Sequence, residues 1–220
     1  MRREEMDKNM IYSCASCGAF ACENREKDNP DICPMNDTEL SAKIKGEYSE
    51  EENREFFINA AKVESEGYGK WNRVRETIEL CRRLGYRRIG IAFCAGLLHE
   101  ANTVMRLFRE RGFEVVSVKC KAGGNDKCEF GIDEEDKIEK GFEPACNPIG
   151  QAAFLADSGV EFAIVIGLCV GHDSLFYKYF SRYSDAFCTT LVAKDRVTGN
   201  NPCAAIYGAN GYFRDRFGDI

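Results

Sequence analysis

Twelve of the 220 residues are cysteine and only two are histidine. Four of the cysteines are grouped near the start as Cys14-x2-Cys17-x4-Cys22-x10-Cys33, with Pro34 directly after the last. A Cys-x-x-Cys pair lets two thiolates grip one metal from a tight turn, and two more thiolates complete a tetrahedral shell. Four thiolates also suit an iron–sulfur cluster, and a closing Cys-Pro is a feature of bacterial ferredoxin runs. The spacing matches neither a ferredoxin run nor the paired Cys-x-x-Cys of a zinc ribbon. Iron–sulfur and zinc therefore both stand open for Cys14, Cys17, Cys22 and Cys33. A second set, Cys94, Cys120, Cys146 and Cys169, is dispersed along the chain. Its members can act together only if the elements carrying them converge.

The compartment decides how cysteines are read. The first ten residues, MRREEMDKNM, are charged and lack the apolar stretch of a secretory leader. The longest apolar run, Ala163 to Val170, is interrupted by Gly167 and is too short to span a bilayer, which needs about 20 residues. A cytoplasmic protein is expected, and there structural disulfides are rare. A chain of this length buries about 70% of its unfolded surface and needs no covalent staples. Metal binding, catalysis or plain burial remain as uses for the thiols. The net charge is −6 and neither half is basic, which argues against a phosphate-tracking nucleic-acid binder.

Two zones separate by composition. Residues 1–46 are polar, poor in branched apolar residues and without a hydrophobic period, so they read as an arm that a metal would order. Residues 47–220 carry the periodic structure. Two helices are expected first, over 50–66 and 70–84, the second with Trp71, Val74, Ile78, Cys81 and Leu84 on one stripe. Strands are expected at 88–94, 113–120, 161–169 and 187–193. Helices fall between them over 95–111, 148–159 and 173–184, with a charged connection at 121–145 and a short helix after Pro202. Strands alternating with helices imply right-handed crossovers and a parallel sheet. The expectation is a three-layer α/β domain of about four strands, Rossmann- or flavodoxin-like, whose ligands sit outside the carboxyl ends of the strands.

That topology gathers the second cysteine set. Cys94, Cys120 and Cys169 end strands and Cys146 precedes the Asn147-Pro148 helix start, so all four fall at the carboxyl edge. Cys94, Cys146 and Cys169 also precede helix N-termini, where partial positive charge favours thiolates and an anionic [4Fe–4S] centre. At the same edge, His172 could move a proton or ligate metal. Lys194 and Arg196 could hold a carboxylate or phosphate, with a solvated, internally paired turn as the alternative. Asp173 is read as a helix cap, and His99 carries less support. Cys81 and Cys188 are read as packed, Cys128 as a spare ligand or exposed thiol, and Cys203 as a possible neighbour of the edge. Gly123-Gly124 is not a nucleotide fingerprint.

The stretches Ile91-Ala-Phe-Cys-Ala-Gly-Leu97, Cys120-Lys-Ala-Gly-Gly124, Ala145-Cys-Asn-Pro-Ile149, Gly167-Leu-Cys-Val-Gly-His-Asp-Ser-Leu-Phe176 and Val192-Ala-Lys-Asp-Arg-Val197 resemble the cysteine-rich family catalogued as domain of unknown function eighteen forty-seven. The resemblance covers nearly the whole chain, the Cys14/Cys17/Cys22 arm included. It implies cysteine-bound metal in a microbial, mostly anaerobic setting, and no particular reaction. A looser likeness of arrangement links the edge to desulfidases and 2-hydroxyacyl-CoA dehydratases, whose clusters sit on loops of an α/β domain. The expectation is an iron–sulfur enzyme, with one or two clusters, a small anionic or sulfur-bearing substrate and an electron-transfer partner. The alternatives are a non-catalytic zinc or redox-sensing module, and a thiol enzyme using Cys169 beside His172.

Overall fold

The computed structural model describes residues 12–218. The chain divides into two compact units, the first ending at Ala61 and the second starting at Lys62.

In the first unit, Cys14–Ser16 and Pro34–Asn36 form single 3-10 turns, and helix α1 spans Thr38–Glu47. Helix α1 falls where the sequence shows no hydrophobic period. Its cause is local. The Asp37 carboxylate accepts the Leu40 amide at 2.9 Å, which satisfies a donor that has no partner within the helix. Helix α1 buries none of its residues, so it needs no apolar stripe and gave hydrophobic periodicity nothing to detect. Helix α2, Glu51–Gly67, begins in this unit, and the rings of Tyr48 and Phe57 meet edge-on at 4.9 Å.

The second unit is α/β. Helix α3 (Arg73–Arg83) is capped by Asn72, whose side chain accepts from the Arg75 amide. It starts three residues later than the periodicity suggests, because Asn72 supplies the cap. Strands β1 (Arg88–Phe93), β2 (Glu114–Lys119), β3 (Phe162–Ile166) and β4 (Phe187–Val192) form one sheet in the order β2-β1-β3-β4. Every pairing is parallel. Between strands run α4 (Leu98–Arg109), α5 (Pro148–Asp157) and α6 (His172–Tyr183). A short α7 (Pro202–Tyr207) follows β4.

The two central strands are the apolar ones. Ile89, Ile91 and Ala92 of β1 and Ala163, Ile164 and Ile166 of β3 are completely buried. Each such large aliphatic side chain contributes about 1.5–3 kcal/mol relative to exposure. Leu155 of α5 and Phe176 and Phe180 of α6 share one core cluster with Ala92, Ala163 and Val165. Ala101, Val104 and Phe108, spaced three and four apart, are the buried stripe of α4. At the amino edge, the Glu161 carboxylate accepts both the Arg87 and Arg88 amides at 2.7 Å.

The strand order reverses direction between β1 and β3. From β1 the chain steps outward to β2; from β3 it steps the other way to β4. Diverging crossovers open a crevice at the carboxyl end of such a sheet. Cys94 follows β1 and Cys169 follows β3, so the two flank that crevice.

Candidate thiolate centre at the sheet edge

Each edge cysteine is positioned by backbone geometry. Cys94 donates its amide to the Ile166 carbonyl at 3.1 Å and opens the 3-10 turn Ala95–Leu97 that leads into α4. Cys120 donates to the Phe93 carbonyl at 2.9 Å, and its own carbonyl accepts the Asn147 amide at 2.7 Å. Asn147 also caps α5, accepting from Gly150 at 2.8 Å and donating to the Ala122 carbonyl at 2.9 Å. Cys146 is thereby held beside Cys120. Beyond β3, Gly167 turns the chain at φ +61°. A Cβ there would stand 1.9 Å from Leu97 Cδ1, so glycine alone lets the turn after β1 pack against the turn after β3. Cys169 lies two residues further on, and its carbonyl accepts the first amides of α6, those of His172 and Asp173.

Three thiols are neighbours. The buried Cys120 lies near enough to Cys94 and Cys146 for each to bear on its ionisation. Its Sγ also accepts the Ala95 amide at 3.2 Å. The Cys120 hydrogen bond is the main reason that Cys94 and Cys146 are both pulled down to about 5, against the opposing effect of burial. Cys94 is helped further by the Gly96 backbone and Lys194, and Cys146 by Lys121 and His172. Cys120 itself is pushed strongly upward, by its bonds to the two outer sulfurs and by burial. The result is one protonated thiol between two thiolates. Because Cys120 has a single proton to donate, only one outer sulfur holds it at a time.

Cations face this sulfur group. Lys194 Nζ reaches Cys94 Sγ at 3.6 Å, and the Arg196 guanidinium donates to Cys169 Sγ at 3.0 Å. Arg196 is itself raised, first by Cys169 and then, more weakly, by Cys94 and Cys146. Asp195, between them in sequence, does not pair with them. Its carboxylate accepts the Val197 and Thr198 amides at 2.8 and 3.0 Å. That side-chain turn leaves Lys194 and Arg196 directed at sulfur, in place of the internally paired turn. Lys121, a residue the sequence reading missed, donates to the Pro144 carbonyl and lies near enough to Cys146 to favour its thiolate. Its position directly after Cys120 at a strand end was the available signal.

Two further residues support the edge. Gln151 is completely buried, and its Nε2 donates to the Val118 carbonyl at 2.7 Å and the Phe93 carbonyl at 3.2 Å. One side chain of α5 thus ties down the strand ends that carry Cys94 and Cys120. Asp173 does not cap α6. Gly171 holds the N-cap position, and Asp173 instead accepts the Ser174 amide at 2.7 Å. The cap is missing because the helix starts one residue earlier, on a glycine at φ +84°.

The other candidates lie elsewhere. Cys81 is fully buried on α3, and Cys188 packs against the core from β4. Cys128 is exposed in the 121–145 connection, and Cys203 is exposed in α7. His99 is exposed on α4. In the first unit Cys14 and Cys22 are exposed, while Cys17 and Cys33 are half-buried. Cys17 is lowered by hydrogen bonds from the Phe20 and Ala19 backbone. Among the described residues, no group of three or more His, Cys, Asp or Glu side chains is placed so that it could hold a metal ion. No described helix is long and apolar enough to cross a membrane.

A family model described as a protein of unknown function, DUF1847, matches residues 33–191. The chain belongs to the DUF1847 family. The matched span takes in Cys33, Cys94, Cys120, Cys146, Cys169 and His172, and it begins after Cys14, Cys17 and Cys22 and ends before Lys194 and Arg196. An uncharacterised protein of Methanocaldococcus jannaschii is 41% identical over 194 residues, covering 88% of this chain and 93% of its own length. The DUF1847 match therefore spans all four strands up to Leu191 and the whole sulfur group.

Proposed function

We propose that this protein is a cytoplasmic metal-binding protein, with an iron–sulfur cluster held by Cys94, Cys120, Cys146 and Cys169 at the carboxyl edge of a Rossmann-like sheet. The observation that carries the reading is that backbone bonds set Cys94, Cys120 and Cys146 side by side, with Lys194 and Arg196 reaching sulfur at this edge. Thiolate sulfur is the donor that iron–sulfur clusters and zinc select. The donor set fits in its chemistry: two of the sulfurs already favour the thiolate form, and Lys121, Lys194 and Arg196 offset the negative charge that a four-thiolate cluster brings. When bound, such a cluster supplies an electron reservoir or a Lewis-acidic iron.

The surrounding side chains have roles of their own in this reading. Lys194 and Arg196 hold an anionic or sulfur-bearing small molecule at the crevice. His172, at the first turn of α6 and near Cys146, moves a proton to or from it. An electron-transfer partner would exchange electrons with the edge. Cys14, Cys17, Cys22 and Cys33 hold a second cluster or a zinc ion, Cys17 being already biased toward thiolate by backbone amides.

The test is iron, zinc and acid-labile sulfide per chain on protein purified without oxygen, with a visible spectrum. Iron and matching sulfide, about four of each per cubane cluster, with a broad band near 400 nm support the reading. Cys94→Ser should then remove iron from the edge and leave any arm-bound metal in place. Zinc alone, unaffected by Cys94→Ser, would overturn the edge cluster.

A further inference from the structure

Cys120 is placed to bond covalently with either neighbour. The β1–β2 ladder ends at the Phe93–Lys119 pair, and the Cys120 amide donates to Phe93, so Cys94 and Cys120 stand opposite one another one step beyond it. Adjacent strands are about 4.8 Å apart, within the range of about 4.4–6.8 Å between Cα atoms that a disulfide spans. On the other side, the Asn147 amide bonds the Cys120 carbonyl at 2.7 Å, bringing Cys146 alongside. Cys120 is 3% exposed, whereas Cys94 and Cys146 are partly open to solvent. An incoming reagent therefore meets an outer sulfur first, and the buried sulfur can be reached only from within.

We infer that, with no metal bound, this edge carries out thiol–disulfide exchange with low-molecular-weight disulfides, Cys120 acting as the resolving thiol shared by Cys94 and Cys146. An outer thiolate attacks one sulfur of a small disulfide RSSR. A mixed protein–S–S–R bond forms, the RS–SR bond breaks, and RS⁻ leaves. Cys120 then loses its proton to the medium and attacks the protein sulfur of the mixed disulfide. A Cys120–Cys94 or Cys120–Cys146 bond forms and the second RS⁻ leaves. Two protein thiols are oxidised and one RSSR is reduced to two thiols. Lys121, Lys194 and Arg196 favour carboxylate-bearing disulfides. Cys120 can enter only one bond, so one outer thiol always stays outside it. Each such bond also consumes two sulfurs of the edge set, which makes disulfide and edge-bound metal mutually exclusive. The inference stands on sulfur placement and not on metal binding.

The experiment uses the full chain, purified without oxygen, stripped with a chelator, reduced, desalted and exposed to oxidised glutathione. Peptide mapping should find a cross-link joining Cys120 to Cys94 or Cys146, with the loss of one pair of edge thiols. Cys120→Ser should abolish that cross-link and leave a persistent glutathione adduct on Cys94 or Cys146. A wild-type map with stable adducts at the edge and no link to Cys120 overturns the inference, whether or not the variant folds. So does an edge that does not react at all. A chain that binds no iron yet forms the Cys120 link defeats only the metal reading. A chain that binds iron yet never forms the link after stripping defeats only this one.

Discussion

Cys120 has one proton and two sulfur neighbours, and the reactivity of the edge follows from that imbalance. A thiolate is the nucleophile, so alkylation rises as pH passes the thiol's own value. In the metal-free, reduced protein Cys94 and Cys146 should be alkylated well below the pH of about 8.5 at which an ordinary cysteine is half ionised, because both are lowered. Lys194→Met should move the Cys94 profile upward and leave that of Cys146 in place. Lys121→Met should do the reverse, since each lysine faces a different sulfur. Both shifts should be smaller than that of Cys120→Ser, which removes the largest single influence. Residue-resolved iodoacetamide labelling against pH measures all three. Unmoved midpoints in the lysine variants would mean that the cations do not face the sulfurs in solution.

Among the elements, the 121–145 connection has almost no regular structure, and buried charge organises it. Lys137 has 1% of its side chain exposed, with its Nζ 2.8 Å from Asp126 and 2.6 Å from Glu134. Lys127 pairs with Glu143 at 2.8 Å, and Asp126 also forms a capping box with Glu129. Lys137 holds Asp126 well below its ordinary range; Lys137 likewise lowers Glu134, as Lys127 lowers Glu143. A carboxylate depressed in the fold adds stability above its unfolded value, about 3.9 for Asp and 4.3 for Glu. That stability is lost as pH falls through the lower folded value. The connection should therefore resist proteolysis at neutral pH and become progressively more cleavable as pH falls below about 4. Lys137→Met should make it cleavable at pH 7, by leaving two carboxylates without their cation. Limited proteolysis with mapped cut sites reads both outcomes, and a cut pattern indifferent to pH would contradict them. Sequence reading recognised this segment as a charged connection. It did not find its ion pairs, because neither Lys137 with Asp126 nor Lys127 with Glu143 has the spacing of a helix or strand face.

At the scale of the whole molecule, the second unit rests on apolar burial on the sheet. Phe108 is completely buried on α4 and packs on Phe113 with ring centroids 5.4 Å apart. Phe108→Ala should lower unfolding free energy by about 3–5 kcal/mol, measured as a lower urea midpoint. A change under 1 kcal/mol would mean that the site collapses to fill the cavity. The strands, the parallel sheet and the placing of Cys94, Cys120 and Cys169 after its strands were legible in the sequence alone. Period and handedness are properties of the chain, and together they fix which strand ends share an edge. Cys94, Cys120, Cys146 and Cys169 could be grouped on that basis, although up to 75 residues separate them (169 − 94). Helix α1 was not legible, because a helix that buries nothing is held by its cap and leaves no stripe. Nor was the inner order of the site. Only the tertiary structure decided that Cys120 is the buried sulfur between two others, that Lys194 and Arg196 turn toward sulfur while Asp195 turns toward backbone, and that Lys121 and Gln151 belong to the edge. Those facts depend on side-chain direction and on desolvation across elements distant in sequence, and neither is written in the spacing of residue types.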